Sequence, residues 1–327
     1  MVMFADFAPD SRILVSISGG ADSIYLTWLL AQHFSADQLY LLYFDHGLRS
    51  DEAILSDQAV ITKLCDQLQL PHFEVHKLPV RLHSREHKQS LETTARQLRR
   101  SFLYEYALKY GCSYIALGHH WDDHIETALF QLIRGTQSQL TGIKARTTYK
   151  SLTIIRPLLE FTKADIMSKI HQYKLAYNSD DTNTDERFTR NKIRHQLLPV
   201  IADINPNYRE KIGQFIAYHQ ETQAAIYDGL SIELATVNMT GQLMILPLTT
   251  FQSLATSLLQ KNWIRYAIKH FIAQLEINPA FPLGQLNAIH IDSIFALFLK
   301  ETRKTMSLPA PFFVEKQKEG VCFSVKL

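Results

Sequence analysis

Two adjacent glycines between serines and an aspartate are the first residues whose types suggest chemistry. The segment SGGADS, residues 18–23, follows the apolar run RILVSI and precedes an apolar pattern with helical spacing. Glycines let the backbone approach a phosphate closely, and a helix start offers free N–H groups and the positive end of its dipole. The segment therefore predicts a phosphate-binding site. A tight turn that needs glycine only for packing is the alternative.

The spacing of this loop excludes two common phosphate-binding motifs. It lacks the Gly-Lys-Ser/Thr of a Walker loop, and it lacks a third glycine at the spacing of the dinucleotide-binding fingerprint. A nucleoside triphosphate is the ligand that remains.

Carboxylates and histidines are concentrated in GHHWDDHIET, residues 118–127. Asp123 and Glu126 are three residues apart, so on a helix they project together. Such a pair can receive a cation, either a metal ion or an ammonium group. Helix capping is the alternative, and it would explain one carboxylate but not Glu126. The buried stripe of this helix is predicted at four apolar positions, with Gly135 as the C-terminal cap: Ile125, Ala128, Leu129 and Leu132.

The remaining polar clusters suit a nucleotide or a polynucleotide. FDHGLR, residues 44–49, gathers polar side chains around a turn glycine, although a polar surface loop is the alternative. Arginines at helical spacing suit phosphates or planar bases, although solvated arginines are common on helices. The residues in these clusters are Asp45, His46 and Arg49; Arg96, Arg99 and Arg100; and Arg190, Asn191, Arg194 and His195.

The elements that position these motifs alternate between strand and helix. Strands are predicted at RILVSI, QLYLLYF, HFEVHKL and YIALG, with a helix after each. This alternation predicts an α/β fold with a doubly wound, mostly parallel sheet, in which ligands bind at the carboxyl ends of the strands. Proline and asparagine residues interrupt the chain near residue 206. We therefore expect a catalytic domain over residues 1–208 and a smaller, mainly helical domain over 209–327 that ends in a hairpin.

Composition limits the class of protein. The 327 residues are 46% hydrophobic, which is ample for buried cores, and the net charge of +2 says little about partners. Three cysteines lie far apart with no CxxC pair, so the sequence supports neither a disulfide framework nor a cysteine metal site. With no targeting signal or apolar span in this sequence, we expect a soluble, cytoplasmic protein without a membrane partner.

The chain resembles the short form of the tRNA(Ile)-lysidine synthetases, which are PP-loop ATP pyrophosphatases. The resemblance rests on SGGADS, FDHGLR, ARQLR, GHHWDDHIET, IIRPLL and DTNTDERFTRNKIRHQLLP, and it runs from about residue 12 to 202. It is weaker beyond that point. Arg100 and Phe188 stand where the family often has tyrosine.

This resemblance implies a reaction with ATP and Mg²⁺. AMP is transferred to the oxygen at position 2 of the wobble cytidine in tRNA(Ile) with a CAU anticodon, and pyrophosphate is released. The ε-amino group of L-lysine then displaces AMP and forms lysidine. The second domain would bind the rest of the tRNA, and a homodimer is left open.

The resemblance also implies roles for individual residues. Asp22, Asp123 and Glu126 would be catalytic, and Asp22 would assist Mg²⁺. The expected ATP-binding residues are Ser18, Gly19, Gly20, Ala21, Asp22, Ser23, Asp45, His46, Gly118 and His119. The expected substrate and tRNA contacts are Arg49, Arg96, Arg99, Arg190, Asn191 and Arg194.

Three other functions compete with this interpretation. A tRNA 2-thiocytidine-forming enzyme would share the ATP loop but is expected to carry CxxC cysteines, which the chain lacks. A non-catalytic ATP-binding sensor would not need the carboxylate pair or the arginine clusters. A metal-dependent hydrolase built on HHWDDH is the third alternative.

Overall fold

The structure is a computed structural model, and it describes residues 4, 7–135, 140–179, 189–275, 288–300, 304–308 and 312–325. The chain divides into two units. The first comprises Met1–Phe130 and Gly142–Arg209, and the second comprises Gln131–Thr141 and Glu210–Leu327. The roles expected for residues 1–208 and 209–327 stay predictions.

The first unit contains a six-stranded sheet in the order β3-β2-β1-β4-β6-β5. All neighbouring strands are parallel except the pair formed by β5 and β6. The predicted doubly wound, mostly parallel sheet is therefore confirmed. Its strands are β1 Ile13–Ile17, β2 Leu39–Asp45, β3 His72–Lys77, β4 Tyr114–Ala116, β5 Arg146–Tyr149 and β6 Leu152–Ile155.

Helices follow the strands as the alternating sequence pattern predicts. Ser50 and Ser90 cap two of them by accepting a backbone N–H bond from Ala53 and Thr93. The helices of the described chain up to residue 234 are α1 Ala21–Ala31, α2 Asp51–Leu68, α3 Val80–Glu86, α4 Leu91–Lys109, α5 Trp121–Ile133, α6 Lys163–Gln172, α7 Thr189–Lys192, α8 Leu198–Ile204, α9 Tyr208–Gly229 and α10 Ser231–Leu234. A π-helical turn, Ile193–Leu197, joins α7 to α8.

Both faces of the sheet are buried, and β1 contributes to both. Ile13, Val15 and Ile17 belong to a core cluster that includes residues of α1, α2 and α6. Leu14 belongs to a second cluster, which includes Leu103 of α4. A parallel strand covered on both faces needs apolar residues on both, which explains why ILVSI is apolar at every position except Ser16.

The strand order places a topological switch point between β1 and β4. The chain runs outward from β1 through β2 to β3, then returns to place β4 on the other side of β1. Loops that leave the carboxyl ends of β1 and β4 diverge to opposite sides of the sheet, and ligands bind in the crevice between them. This crevice is where the SGGADS and GHHWDD segments begin.

The second unit contains a five-stranded antiparallel sheet in the order β7-β8-β11-β10-β9. The C-terminal hairpin of β10 and β11 is confirmed, whereas β7, β8 and β9 are additional to the predicted elements. Trp263, Phe271 and Phe323 lie in its core. The remaining elements are β7 Asn238–Thr240, β8 Leu243–Pro247, α11 Leu248–Ser253, α12 Ser257–Gln274, α13 Ala288–Phe298, β9 Thr305–Ser307, β10 Phe312–Lys316 and β11 Gly320–Val325.

No helix in the described part of the chain has both the length and the apolar content needed to cross a bilayer.

Gly320 provides a test of the second sheet. A Cβ at this position would collide with the carbonyl oxygen of Leu246 and lie 3.1 Å from the Pro247 Cα, both on the neighbouring strand β8. We predict that Gly320→Ala destabilises the unit by about 1–3 kcal/mol, because backbone atoms must move. Gly229→Ala, which has nothing within 4 Å, is the control. Equal thermal unfolding midpoints for the two variants would contradict the packing of β11 on β8.

Candidate active site

The SGGADS segment forms a closed turn between β1 and α1. The Ser23 hydroxyl accepts a 3.0 Å hydrogen bond from the Ser18 backbone N–H and donates one of 3.0 Å to the Gly20 carbonyl. Gly20 is the N-cap of α1, and no side chain caps it. The first N–H groups of α1 are therefore available to an anion, as an ATP phosphate site requires.

Gly19 is held against a buried carboxylate. Its φ of +78° favours glycine, and a Cβ there would lie 3.1 Å from the Cα of Asp57 on α2. Asp57 is 1% exposed. Its carboxylate accepts hydrogen bonds from Arg49 at 2.6 Å, from Asn178 at 2.9 Å and from the Tyr43 hydroxyl at 3.1 Å.

Asn178 fixes the same loop from the other side. Its backbone N–H donates a 3.0 Å bond to the Gly19 carbonyl, and its side chain amide donates to Asp57. Sequence reasoning missed both residues. A signal for Asp57 exists, because it lies among Ile54, Ile61 and Leu64 on the apolar stripe of α2, where a carboxylate needs partners.

The second wall of the crevice follows β4. A Cβ on Gly118 would lie 3.5 Å from the Ser23 backbone nitrogen, so this loop packs directly on the first turn of α1. Burial lowers the pKa of His119 to about 4; Asp123 opposes this shift, and three nearby arginines reinforce it. His119 is therefore neutral near pH 7. Its Nδ1 has no hydrogen-bond partner among the described residues.

The FDHGLR loop supplies a third part of the site. Asp45 accepts a 2.7 Å bond from the Gly47 N–H and so closes the turn. Burial, then the nearby Arg99, lowers the pKa of His46 to about 4. The neutral imidazole is thus suited to accept the 2.7 Å hydrogen bond from the Arg99 guanidinium. Arg49, expected to contact substrate, is instead paired with Asp57.

Asp123 and Glu126 converge as their spacing predicts, and they converge on Arg194. Arg194 donates through Nε to Glu126 Oε1 at 2.6 Å, and through Nη2 to Glu126 Oε2 at 2.8 Å and Asp123 Oδ1 at 3.2 Å. Burial raises the pKa of Glu126, while the bonds from Arg194 oppose that shift. Asp123 also accepts the His120 N–H at 3.1 Å, so the capping interpretation holds for this residue.

The predicted stripe of α5 needs one correction. Ile125 and Ala128 are buried, and Leu129 is half-buried. Leu132 is 58% exposed, so placing it in the buried stripe was wrong. Glu126 and His124, which flank the stripe, are buried on the same helix. The Glu126 carboxylate can be buried there because Arg194 satisfies it.

Arg190 and Arg194 lie on either side of a change in helix type. Arg190 belongs to α7, with its guanidinium 5.8 Å from the Phe130 ring centroid, whereas Arg194 lies in the π-helical turn. Their side chains therefore have different partners, although one α-helical turn was predicted between them. Asn191 is half-buried on α7. The part of this motif at residues 180–188 lies outside the described residues.

Asp22 provides the carboxylate next to the phosphate loop. Lys163, at the start of α6, donates a 2.6 Å hydrogen bond to Asp22 Oδ1. His120 Nε2 lies 3.9 Å from Asp22 and 3.5 Å from Asp123. Mg²⁺ is commonly held by one or two carboxylates plus substrate phosphates, and Asp22 fits that description.

The HHWDDH motif does not form a compact set of metal ligands. Within the described residues, the group whose ligand atoms all lie within 4.8 Å of one another is His83, Glu86 and His87, at the end of α3. The motif's own carboxylates bind protein groups: Asp122 accepts from the Lys163 N–H at 2.7 Å and from Arg209 at 2.8 Å. This arrangement disfavours the metal-dependent hydrolase.

Comparison with known proteins agrees with this geometry. Residues 2–201 match the family model described as the PP-loop domain. The chain belongs to this PP-loop family. The switch-point crevice and its glycine loop are thus parts of an ATP-using PP-loop domain.

Two curated relatives carry the same name. The tRNA(Ile)-lysidine synthase of Bacillus cereus is 31% identical over 307 residues, covering 92% of this chain. That of Thermosipho africanus is 34% identical over 227 residues, covering 68% of this chain and 52% of its own length. The chain spans 62% of the length of the Bacillus protein.

A solved structure supports the PP-loop fold. The U34-tRNA thiolase NcsA from Methanococcus maripaludis aligns with a TM-score of 0.53 at 14% identity, covering 66% of this chain and 73% of its own. At this identity the likeness shows the fold alone.

Asp57 provides a test of the loop support in this PP-loop domain. We predict that Asp57→Ala costs about 2–4 kcal/mol, because Arg49 and Asn178 lose a buried partner, and that it weakens ATP binding about tenfold or more. Asp66→Ala, at an exposed position on the same helix, is the control. The measurements are urea unfolding and ATP titration. Similar results for both variants would rule out Asp57 as the loop support.

Proposed function

We propose that this chain ligates L-lysine to position 2 of the wobble cytidine of tRNA(Ile) with a CAU anticodon, using ATP. The observation that carries the proposal is the Asp123–Glu126 pair, which binds a cationic group, the Arg194 guanidinium. The pair is close to the phosphate loop, because His120 Nε2 lies 3.5 Å from Asp123 and 3.9 Å from Asp22. An adenylating loop next to a receptor for an organic cation suits a ligase whose nucleophile is an amine. The names of the two relatives support the same activity.

ATP binding is assigned to the loop from Ser18 to Ser23 and the start of α1. The free N–H groups and the helix dipole would hold the β and γ phosphates. Mg²⁺, when bound through Asp22, would neutralise charge on the phosphates. Lys163 pairs with the same carboxylate, and it would contact the pyrophosphate.

The chemistry has two steps. In the first, the cytidine oxygen at position 2 attacks the α phosphorus and the bond to the β phosphate breaks, which releases pyrophosphate. In the second, the lysine amine attacks carbon 2, and AMP leaves with that oxygen. The ammonium must first lose a proton, and Glu126 is suited to accept it because burial raises its pKa.

The arginines are assigned to the nucleic acid and the α phosphate. Arg96 is exposed on α4, and Arg99 on the same helix binds His46, so α4 adjoins the FDHGLR loop. Arg190 and Asn191 on α7 would contact the tRNA or the α phosphate. Arg49 supports the loop through Asp57 in this structure, so its contribution to substrate binding would be indirect.

Thiolation is disfavoured by the state of the cysteines. Burial raises the pKa of Cys65 to about 11 and that of Cys112 to about 12, and it also raises the pKa of Cys322. All three are buried free thiols. Because the thiolate is the reactive form, these residues are poor sulfur carriers.

The decisive experiment supplies Mg²⁺, ATP, labelled lysine and tRNA(Ile) with the CAU anticodon, followed by mass analysis of the nucleosides. We expect ATP-dependent label on cytidine. tRNA-dependent ATP cleavage without lysine incorporation would indicate another nucleophile. Absence of ATP cleavage would favour the alternative of a non-catalytic ATP-binding sensor.

The carboxylate pair provides a test of the proposed lysine site. We expect Glu126→Gln to slow lysine transfer about 100-fold or more, because the general base is lost, while tRNA-dependent pyrophosphate release is retained. Asp123→Asn should weaken lysine binding. Glu221→Gln, at an exposed position on α9, is the control. Unchanged single-turnover transfer in both site variants would refute the role of the pair.

Lys163 provides a test of the proposed pyrophosphate contact. We expect Lys163→Met to raise the KM for ATP about tenfold or more, because a charge-assisted contact is lost, and to weaken inhibition by pyrophosphate. Lys169→Met on the same helix removes a lysine that binds Gln172 at 3.1 Å instead, and should not change either quantity. Equal effects of the two variants would exclude a phosphate contact by Lys163.

A further inference from the structure

The receptor for the ammonium group already contains a cation. The Arg194 guanidinium binds both oxygens of Glu126 and one oxygen of Asp123. A buried carboxylate without a counter-ion is strongly unfavourable, so Arg194 stabilises the pair before any substrate arrives.

Burial leaves no room for a second cation at Glu126 while Arg194 is bound to it. The Glu126 side chain is 5% exposed, whereas those of Asp123 and Arg194 are 23% and 35% exposed. An incoming ammonium group can reach Asp123 while Arg194 stays in place. It cannot reach Glu126 unless the guanidinium moves away, because Arg194 covers both oxygens.

Two features of the chain favour a functional role for Arg194. It lies in the π-helical turn Ile193–Leu197, and such turns are uncommon and often found at functional sites. The bonds to Glu126 raise the pKa of Arg194 most, and the charges of Asp123 and then Asp22 add smaller contributions. The guanidinium therefore interacts electrostatically, although weakly, with the carboxylate next to the phosphate loop.

We propose that Arg194 is an exchangeable counter-ion: it holds the ammonium site in the absence of lysine, and moves from Glu126 to the ATP α phosphate when lysine binds. The inference rests on the proposed function. Its consequence is energetic coupling. Lysine and the nucleotide each favour the same position of Arg194, so each strengthens binding of the other by the same factor.

The test measures lysine binding by equilibrium dialysis, without tRNA, in the absence and presence of an ATP analogue with a methylene bridge between the α and β phosphates. For the unmodified protein we expect about tenfold tighter lysine binding with the analogue. For Arg194→Gln we expect lysine alone to bind about tenfold tighter, because nothing must be displaced, and the analogue to have no further effect. Arg194→Lys should restore part of the coupling.

Lys192→Gln is the matched control, because it removes an exposed charge from the adjoining α7 and should leave the coupling unchanged. Weaker lysine binding in Arg194→Gln, with a thermal unfolding midpoint equal to that of the unmodified protein, would overturn the exchange. Coupling that persists in that variant would also overturn it. If Asp123→Asn and Glu126→Gln weaken lysine binding in the same assay, the ammonium site survives either result. Failure of the unmodified protein to bind lysine would overturn the proposed function and the exchange together.

Discussion

The buried carboxylate of Asp57 is the interaction on which the phosphate loop depends. It receives hydrogen bonds from two parts of the chain: from Tyr43 on β2 and Arg49 in the loop after it, and from the distant Asn178 after α6. Gly19 packs against it so closely that a side chain would crowd the Asp57 backbone. A single charge, excluded from water, thus fixes the relative positions of the loop, the FDHGLR turn and α2.

The same pairing of carboxylate with guanidinium recurs through the crevice. Arg49 pairs with Asp57, Arg194 with Glu126, and Arg209 with Asp122. Two histidines of the crevice, His46 and His119, are neutral rather than charged. Burial and nearby arginines lower the pKa of each to about 4. Both imidazoles stay uncharged from about pH 5 upward. These two histidines therefore add no positive charge for a phosphate at neutral pH, and the arginines and Lys163 supply it.

Sequence patterns predicted the elements whose signals are local. The strand, glycine turn and helix at residues 12–31, and the convergence of Asp123 with Glu126, follow from periodicities of two and 3.6 residues. Asp57, Asn178 and Lys163 were missed because their roles come from contacts between residues more than 100 positions apart in the sequence. Asn178 binds Asp57, and Lys163 binds Asp22. The exposure of Leu132 and the short strands β7 and β9 also depend on tertiary packing, which a single-sequence pattern does not record.

The position of the crevice has a consequence for folding. β1 pairs with β2 in the register Ile13 to Leu39, but its other neighbour begins with Ile13 opposite Tyr114, roughly 100 residues away. Closing so long a loop is entropically costly, so local strand pairs are expected to form before this pairing. During synthesis, the wall that carries Gly118 and His119 cannot join the phosphate loop until β4 has left the ribosome. The nucleotide site is therefore complete only after β4 has paired with β1, and a bound nucleotide would stabilise the completed sheet specifically.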